Sequence, residues 1–175
     1  MRTLPQMTST AQPSAQPAHL TPLPPGLDEA RAKELRAANI NPRTGLATDY
    51  LNHFNEAVML LEMIPDIPEC AEDFLQWRPL SYAEHFTASN FAARDLAISA
   101  YESADPALRA EFDQITGTMT SILVAVSAAM LDATQAATRA KLAEQATHWV
   151  KPLVAAAGGL INGGSEADVD YIMTH

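Results

Sequence analysis

A histidine flanked by two carboxylates is the most suggestive chemical grouping in the sequence. Asp49, His53 and Glu56 are spaced four and three residues apart, so a helix would place all three on one face. Imidazole and carboxylate groups are ligand types that zinc, manganese and iron accept. An imidazole oriented by a carboxylate is also the arrangement of a general base. The segment predicts a divalent-metal or small-ligand site or, as the weakest alternative, an enzyme centred on His53.

Two other histidines have carboxylate neighbours that could complete such a site. Glu144 and His148 are four residues apart, and His85 directly follows a glutamate. A mononuclear metal would need His53 and Glu56 together with His85 or His148 from a facing helix. The alternative interpretation is structural, with His53 at the edge of a core and hydrogen-bonded to Asp49 or to a backbone carbonyl. The candidate ligands are Asp49, His53, Glu56, His85, Glu144 and His148.

No established catalytic motif accompanies these residues. The sequence contains no phosphate-binding glycine loop, no His-Glu-x-x-His zinc motif and no Gly-x-Ser-x-Gly nucleophile turn. The Glu-x-x-His order of di-iron bundles is absent as well. Cys70 is the only cysteine, which excludes a disulfide scaffold, and the acids beside it disfavour a reactive thiolate. The sequence therefore names no reaction and no substrate.

The charge balance excludes some partners and favours others. The chain has 21 acidic and 11 basic residues, a formal net charge of -10, which argues against binding nucleic acid or anionic lipid. Residues 44–77 contain seven acids and no lysine or arginine. This region would attract a cationic protein partner or a divalent ion. The alternative is a solvated face that keeps the protein soluble.

The chain of 175 residues is long enough for one domain and a tail. Residues 1–26 contain six of the twelve prolines and no acid, which predicts a disordered, proline-rich tail. Residues 27–175 then form an acidic helical-bundle domain. The first residues lack the continuous apolar segment of a secretory signal, so a cytoplasmic location is expected.

Helical periodicity dominates from residue 27 onward. In the predicted helix 46–64, one face carries the apolar residues Tyr50, Phe54, Ala57, Leu61 and Ile64. Ser81 followed by Glu84 predicts a capping box, and Asp105 before Pro106 predicts another helix start. No segment alternates with the period of a strand. The predicted fold class is all-α, a single bundle of about five to seven helices.

Two long helices should complete the bundle. In the first, from Leu108 to Ala129, apolar residues recur in steps of four and three, a pattern typical of helix pairing. The second runs from Thr134 to Ala157. It should bend or break at Pro152, and the glycine pairs 158–159 and 163–164 should end regular structure. Its expected apolar side consists of Leu142, Ala146, Trp149, Leu153 and Ala156.

Apolar residues on two sides of these helices predict an interaction surface. Met59 and Met63 lie opposite the core face of their helix, where a neighbouring helix or a second copy would cover them. We therefore expect an interaction or regulatory protein that acts as a homodimer. Residues 114–131 are uncharged, but seven of them are Gln, Gly, Thr or Ser, which favours a soluble helix over a membrane span. The expected interface residues are Met59, Met63, Met119, Ile122 and Val126.

Overall fold

The computed structural model describes residue 23 and residues 26–164. The expected tail lies almost wholly outside these residues. In the described part of the chain there are seven α-helices and no strand, which confirms the all-α class. The helices are α1 (Glu29–Ala37), α2 (Leu51–Met63), α3 (Cys70–Gln76), α4 (Tyr82–Ala88), α5 (Arg94–Glu102), α6 (Pro106–Asp132) and α7 (Ala136–Ile161). A 3₁₀ turn, Thr48–Tyr50, leads into α2.

Helix starts follow the capping residues in the sequence. The Ser81 side chain accepts a hydrogen bond from the Glu84 N–H, and the Glu84 carboxylate accepts one from the Ser81 N–H at 2.7 Å. Asp105 caps α6 by accepting from the Leu108 N–H at 2.9 Å, with Pro106 in the first turn. Both predicted helix starts are confirmed. Side-chain acceptors satisfy backbone donors that the first turn of a helix leaves free.

The core lies where α2, α6 and α7 pack together. The long helices α6 and α7 form a hairpin, and α2 packs along α7. The predicted core face of α2 is confirmed, because none of its five residues is more than 4% exposed. Burying apolar side chains of this size stabilises a fold by about 1.5–3 kcal/mol each.

The 4-3 stripe of α6 faces the inside of the same chain. Met119 is fully buried, Val126 is 6% exposed and Ile122 is half-buried. The expectation that Met119 and Val126 face a second copy is wrong, because both are buried within one chain, where α6 packs along α7 and contacts α3; for Ile122 it stays a prediction. A stripe suited to helix pairing does not specify whether the second helix belongs to the same chain.

Helix α7 continues past the residues that were expected to bend or end it. It runs without interruption through Pro152 and the 158–159 glycine pair to Ile161. Each interior glycine costs a helix about 1 kcal/mol relative to alanine. The next residues, Leu160 and Ile161, are buried and offset that cost. The helix ends at Ile161, just before the second glycine pair, and the φ of 80° at Gly163 allows the reversed turn that closes many helices.

The buried side of α7 is rotated from the expected one. Ala143, Ala146 and Val150 are fully buried, whereas Trp149 is 50% exposed. Small side chains allow close approach of neighbouring helices, so alanines occupy the contact and the bulky indole lies outside it. Of the expected face, Ala146 is buried and the remaining four residues are exposed or half-buried.

The connection between α1 and the 3₁₀ turn is tightly constrained. Ile40 and Ala47 form an isolated antiparallel bridge, and Asn39 has a φ of 57°. Gly45 has a φ of 72°, and a Cβ there would lie 2.7 Å from the Ala100 carbonyl oxygen. Only glycine fits this position, so the loop is held against α5. The Thr44 hydroxyl donates to the Ile161 carbonyl at 2.7 Å and ties the loop to the end of α7.

Candidate functional site

Three of the six candidate ligands come together around the start of α2. Asp49 lies in the 3₁₀ turn, His53 in the first turns of α2 and His85 in α4. The ring centroids of the two histidines are 6.0 Å apart, and the Asp49 carboxylate contacts His85. The capping box that begins α4 and the turn that begins α2 position these groups.

His53 is a buried, neutral histidine. Its Nε2 accepts a hydrogen bond from the Leu80 N–H at 3.0 Å, so the neutral ring carries its proton on Nδ1. The ring stacks on Trp77 at a centroid distance of 4.7 Å, and the indole N–H donates to the His53 carbonyl. Burial, reinforced by nearby His85, lowers the pKa of His53 to about 4.

This geometry differs from both interpretations of His53 made from the sequence. The ring accepts a hydrogen bond from a backbone amide, whereas the structural alternative had expected a bond to Asp49 or to a carbonyl. The lone pair of Nε2 is therefore occupied and unavailable as a metal ligand or a base. A histidine bonded in this way holds the connection between α3 and α4 against α2.

Asp49 orients His85 instead of His53. Its Oδ2 lies 3.1 Å from His85 Nε2, and its Oδ1 accepts from the Asn52 side chain at 3.2 Å. The His85 side chain is 14% exposed and that of Asp49 is 34% exposed. A carboxylate-oriented imidazole can hold or transfer a proton. In the part of the chain that the structure describes, neither imidazole is hydrogen-bonded to a hydroxyl or a thiol that could act as a nucleophile.

The remaining three candidate ligands lie elsewhere on the surface. Glu56 is exposed on α2, and Glu144 and His148 are exposed on α7. Within residues 23 and 26–164, no three His, Cys, Asp or Glu side chains are arranged to hold a metal ion. Asp49, His53 and His85 therefore form a packed polar cluster that lacks a complete donor set.

Three tyrosines that the sequence analysis did not single out for chemistry surround this cluster. Tyr50 donates to the Leu80 carbonyl at 2.8 Å, and burial raises its pKa to about 12. Tyr82 accepts from the Ala47 N–H at 2.9 Å, and burial also raises its pKa. Tyr101 stacks on Tyr82 and donates to Asp113 at 2.6 Å. The hydroxyls of Tyr50 and Tyr82 hold loops and that of Tyr101 joins α5 to α6, so the aromatic cluster serves a structural role.

A long helix face remains uncovered on the opposite side of α6 from the core. We call six small or apolar exposed residues on this side the outer face of α6; they are Gly117, Ser121, Val124, Ala125, Ala128 and Leu131, and the exposed Gln114 and Thr118 lie beside them. Val124 is 47% exposed and Leu131 is 67% exposed. Ser121 donates its hydroxyl proton to the Gly117 carbonyl, so this polar group is satisfied within the helix.

The length and hydropathy of α6 alone would allow it to span a membrane, a test that core helices of soluble proteins also pass. Among the described residues it is the one helix that does so. Only 28% of its most apolar stretch is buried. The sequence signal for an exposed face was the absence of charge all round the helix between residues 113 and 132. The heptad-like spacing from Leu108 to Ala129 describes only the stripe of α6 that faces the inside of the chain.

A second uncovered apolar face lies on α2. Met59 is 53% exposed, Met63 is 37% exposed and Ile67 is 45% exposed. We call these three residues the methionine row. The Ile67 N–H donates to the Met63 carbonyl at 2.8 Å, which continues the helical spacing beyond the end of α2. The two methionines were expected on a second surface, and they are uncovered within one chain.

Comparison with known proteins assigns no family and no function, because the chain matches no protein-family model, no curated protein and no solved structure.

Proposed function

We propose that this protein is an interaction protein that self-associates through the outer face of α6. The observation that supports this proposal is the small buried share, 28%, of the most apolar stretch of the helix. Soluble proteins seldom leave a long apolar helix face in water unless something covers it.

The spacing of the outer face suits another helix. Gly117, Ser121, Val124, Ala128 and Leu131 follow one another in steps of four, three, four and three. This repeat keeps side chains on one seam along a neighbouring helix. The small residues at three of these positions let two helix backbones approach closely, while Val124 and Leu131 supply apolar area.

Charge favours a second copy of this chain as the occupant. The outer face has no ionisable residue between Asp113 and Asp132, so two identical faces can meet without like-charge repulsion. The rest of the molecule is strongly acidic, which disfavours approach to an anionic bilayer. A symmetric dimer is also the commonest arrangement of soluble homo-oligomers.

Sedimentation equilibrium of the full chain tests this proposal. The wild type is expected to form dimers at concentrations of about 100 µM or below. Ala128→Lys, in the centre of the outer face, should give a monomer because two lysines would be buried against an apolar partner. Ala155→Lys, at an exposed alanine of α7, is the matched control and should remain dimeric.

Two results would overturn the proposal. One is a wild-type chain that stays monomeric at the highest concentration tested. The other is flotation of the wild type, but not of Ala128→Lys, with phosphatidylcholine vesicles, which would assign the outer face to lipid.

The methionine row supports a second interaction, with a cationic protein partner. Exposed acids surround it on the same helix and in the following turn, among them Glu56 and Asp66, together with Glu62, which is paired with Lys151 of α7 at 2.7 Å. Methionine side chains adapt to partners of different shape, and the acids would attract lysine and arginine. We propose that this row binds a basic amphipathic segment of another protein.

A labelled peptide of leucine and lysine with helical periodicity tests the second interaction. It should bind the full chain, and the same peptide with glutamate in place of lysine should not. If both peptides bind equally well, charge does not select the partner. If neither peptide binds, the proposal of a basic amphipathic partner is wrong.

A further inference from the structure

An open cleft of about 870 Å³ lies between the loop after α1, the start of α2 and the end of α7. Two arginines and several asparagines line it, together with apolar side chains at its base. The side chains that matter for binding are Arg36, Arg43, Asn39, Asn52, Asn55 and Asn162. The volume is in the range of small-molecule sites.

The lining of the cleft holds two guanidinium groups and one carboxylate, in a molecule that is acidic as a whole. The only acid in its lining is Asp49, which already contacts His85 and Asn52. The Arg36 guanidinium is paired with Glu29 at 3.0 Å at one edge. Among the described residues no carboxylate is paired with Arg43. A guanidinium in a cleft is well suited to bind a carboxylate or a phosphate through two parallel hydrogen bonds.

The backbone around Arg43 is held in place. Its N–H donates to the Asn41 side chain at 2.9 Å. Its guanidinium lies against Gly163, where a Cβ would be 3.7 Å from Nη1. The neighbouring Thr44 is tied to the end of α7 through Ile161. Because these bonds anchor the loop, the backbone position of Arg43 is set before any ligand arrives, which lowers part of the entropic cost of binding.

The asparagines add groups that recognise neutral polar atoms. An amide side chain offers two donors and one acceptor, which pair with hydroxyl or carbonyl groups. We infer that this cleft binds a small organic anion that carries hydroxyl groups, with its carboxylate or phosphate on Arg43. This site is separate from the outer face of α6 and from the methionine row.

Isothermal titration of the full chain with three probes tests the inference. Citrate and glucose 6-phosphate supply the two kinds of anion, and glucose is the neutral control, all in a buffer of constant ionic strength. At least one anion should bind, and glucose should bind at least about tenfold more weakly than its phosphate. The stronger of the two anions distinguishes a carboxylate ligand from a phosphate ligand.

Two variants assign any binding to the cleft. Arg43→Gln should lower the affinity for the anion at least about tenfold, because the charged hydrogen bonds are lost. Arg94→Gln is the matched control, since Arg94 is about half exposed and its nearest carboxylate, that of Asp95, is 3.9 Å away. Its affinity should equal that of the wild type.

Three outcomes would overturn the inference. They are the absence of heat with both anions up to about 10 mM, equal weakening in the two variants, and equal affinity for glucose and its phosphate.

Discussion

The outer face of α6 and the methionine row expose similar apolar side chains in different electrostatic surroundings. Leu131 and Met59 are each more than half exposed. No charged residue lies between Asp113 and Asp132, whereas residues 44–77 around the methionine row carry seven acids and no base. Apolar area supplies the driving force in both places, and the flanking charge selects the occupant. We therefore propose an identical copy for the neutral face and a basic segment for the acidic one.

We expect the largest effect from a change of pH. It should act on α2 and not on α6, because α2 contains the buried His53 and α6 contains no histidine. The pKa of His53 is about 4 in the folded state and about 6.5 in the unfolded state. Between these values the unfolded chain binds the proton first. The contribution of His53 to the free energy of unfolding is therefore complete above pH about 6.5. It declines as the pH falls toward 4, by up to about 3 kcal/mol.

Urea unfolding at several pH values measures this decline. His53→Gln keeps an acceptor for the Leu80 N–H and cannot titrate, so its stability should fall less over the same range. His148→Gln, at an exposed position, should follow the wild type. A difference between the wild type and His53→Gln that is independent of pH would contradict the prediction.

Two lysines on the outer face should abolish one interaction and leave the other unchanged. We expect the double variant Val124→Lys/Leu131→Lys to weaken dimerisation at least about 100-fold, because four charges would meet in a symmetric apolar interface. Affinity for the basic peptide should stay within about twofold of wild type. Sedimentation and fluorescence anisotropy measure the two quantities. Loss of both activities together would show that the surfaces are not independent.

The reciprocal change removes apolar area from the methionine row. We expect the double variant Met59→Ser/Met63→Ser to lower the affinity for the basic peptide about tenfold, because apolar contact area is lost. The dimer should persist, since both side chains are exposed and outside the core. Anisotropy titration measures the peptide affinity. A variant that binds the peptide as tightly as the wild type would place the peptide elsewhere.

Salt should produce the smallest effect and the clearest contrast. Raising sodium chloride from about 50 to about 500 mM should lower the affinity for the basic peptide about fivefold, because the salt screens exposed charges. The dimer, formed by neutral faces, should change less than about twofold. Equal salt sensitivity of the two equilibria would contradict the assignment of occupants by charge.

Local patterns predicted the elements better than the partners of the polar groups. The core face of α2 was predictable because large apolar residues recur there with helical spacing and contrast with polar neighbours. The side of α7 was not, because alanines on several sides make the faces nearly equal and close packing decides among them. The extension of α7 through Gly158 depends on burial of the residues that follow, which no local signal reveals.

The candidate site shows the same limit. Spacing brought Asp49 and His53 onto one helix and suggested that they act together. The structure pairs Asp49 with His85, 36 residues away, and His53 with the backbone of Leu80, 27 residues away. Such pairings depend on how α3 and α4 return to α2, which is a property of the assembled fold.

The attachment of Leu80 to α2 has a consequence for how the protein opens. Both main-chain polar groups of Leu80 bind α2 or its leading turn, the N–H to His53 and the carbonyl to Tyr50. A residue outside any helix thereby inherits the protection of the helix to which it is bound. Amide exchange at Leu80 should consequently follow the detachment of α2, and this loop amide reports on the cooperative unit to which the helix belongs.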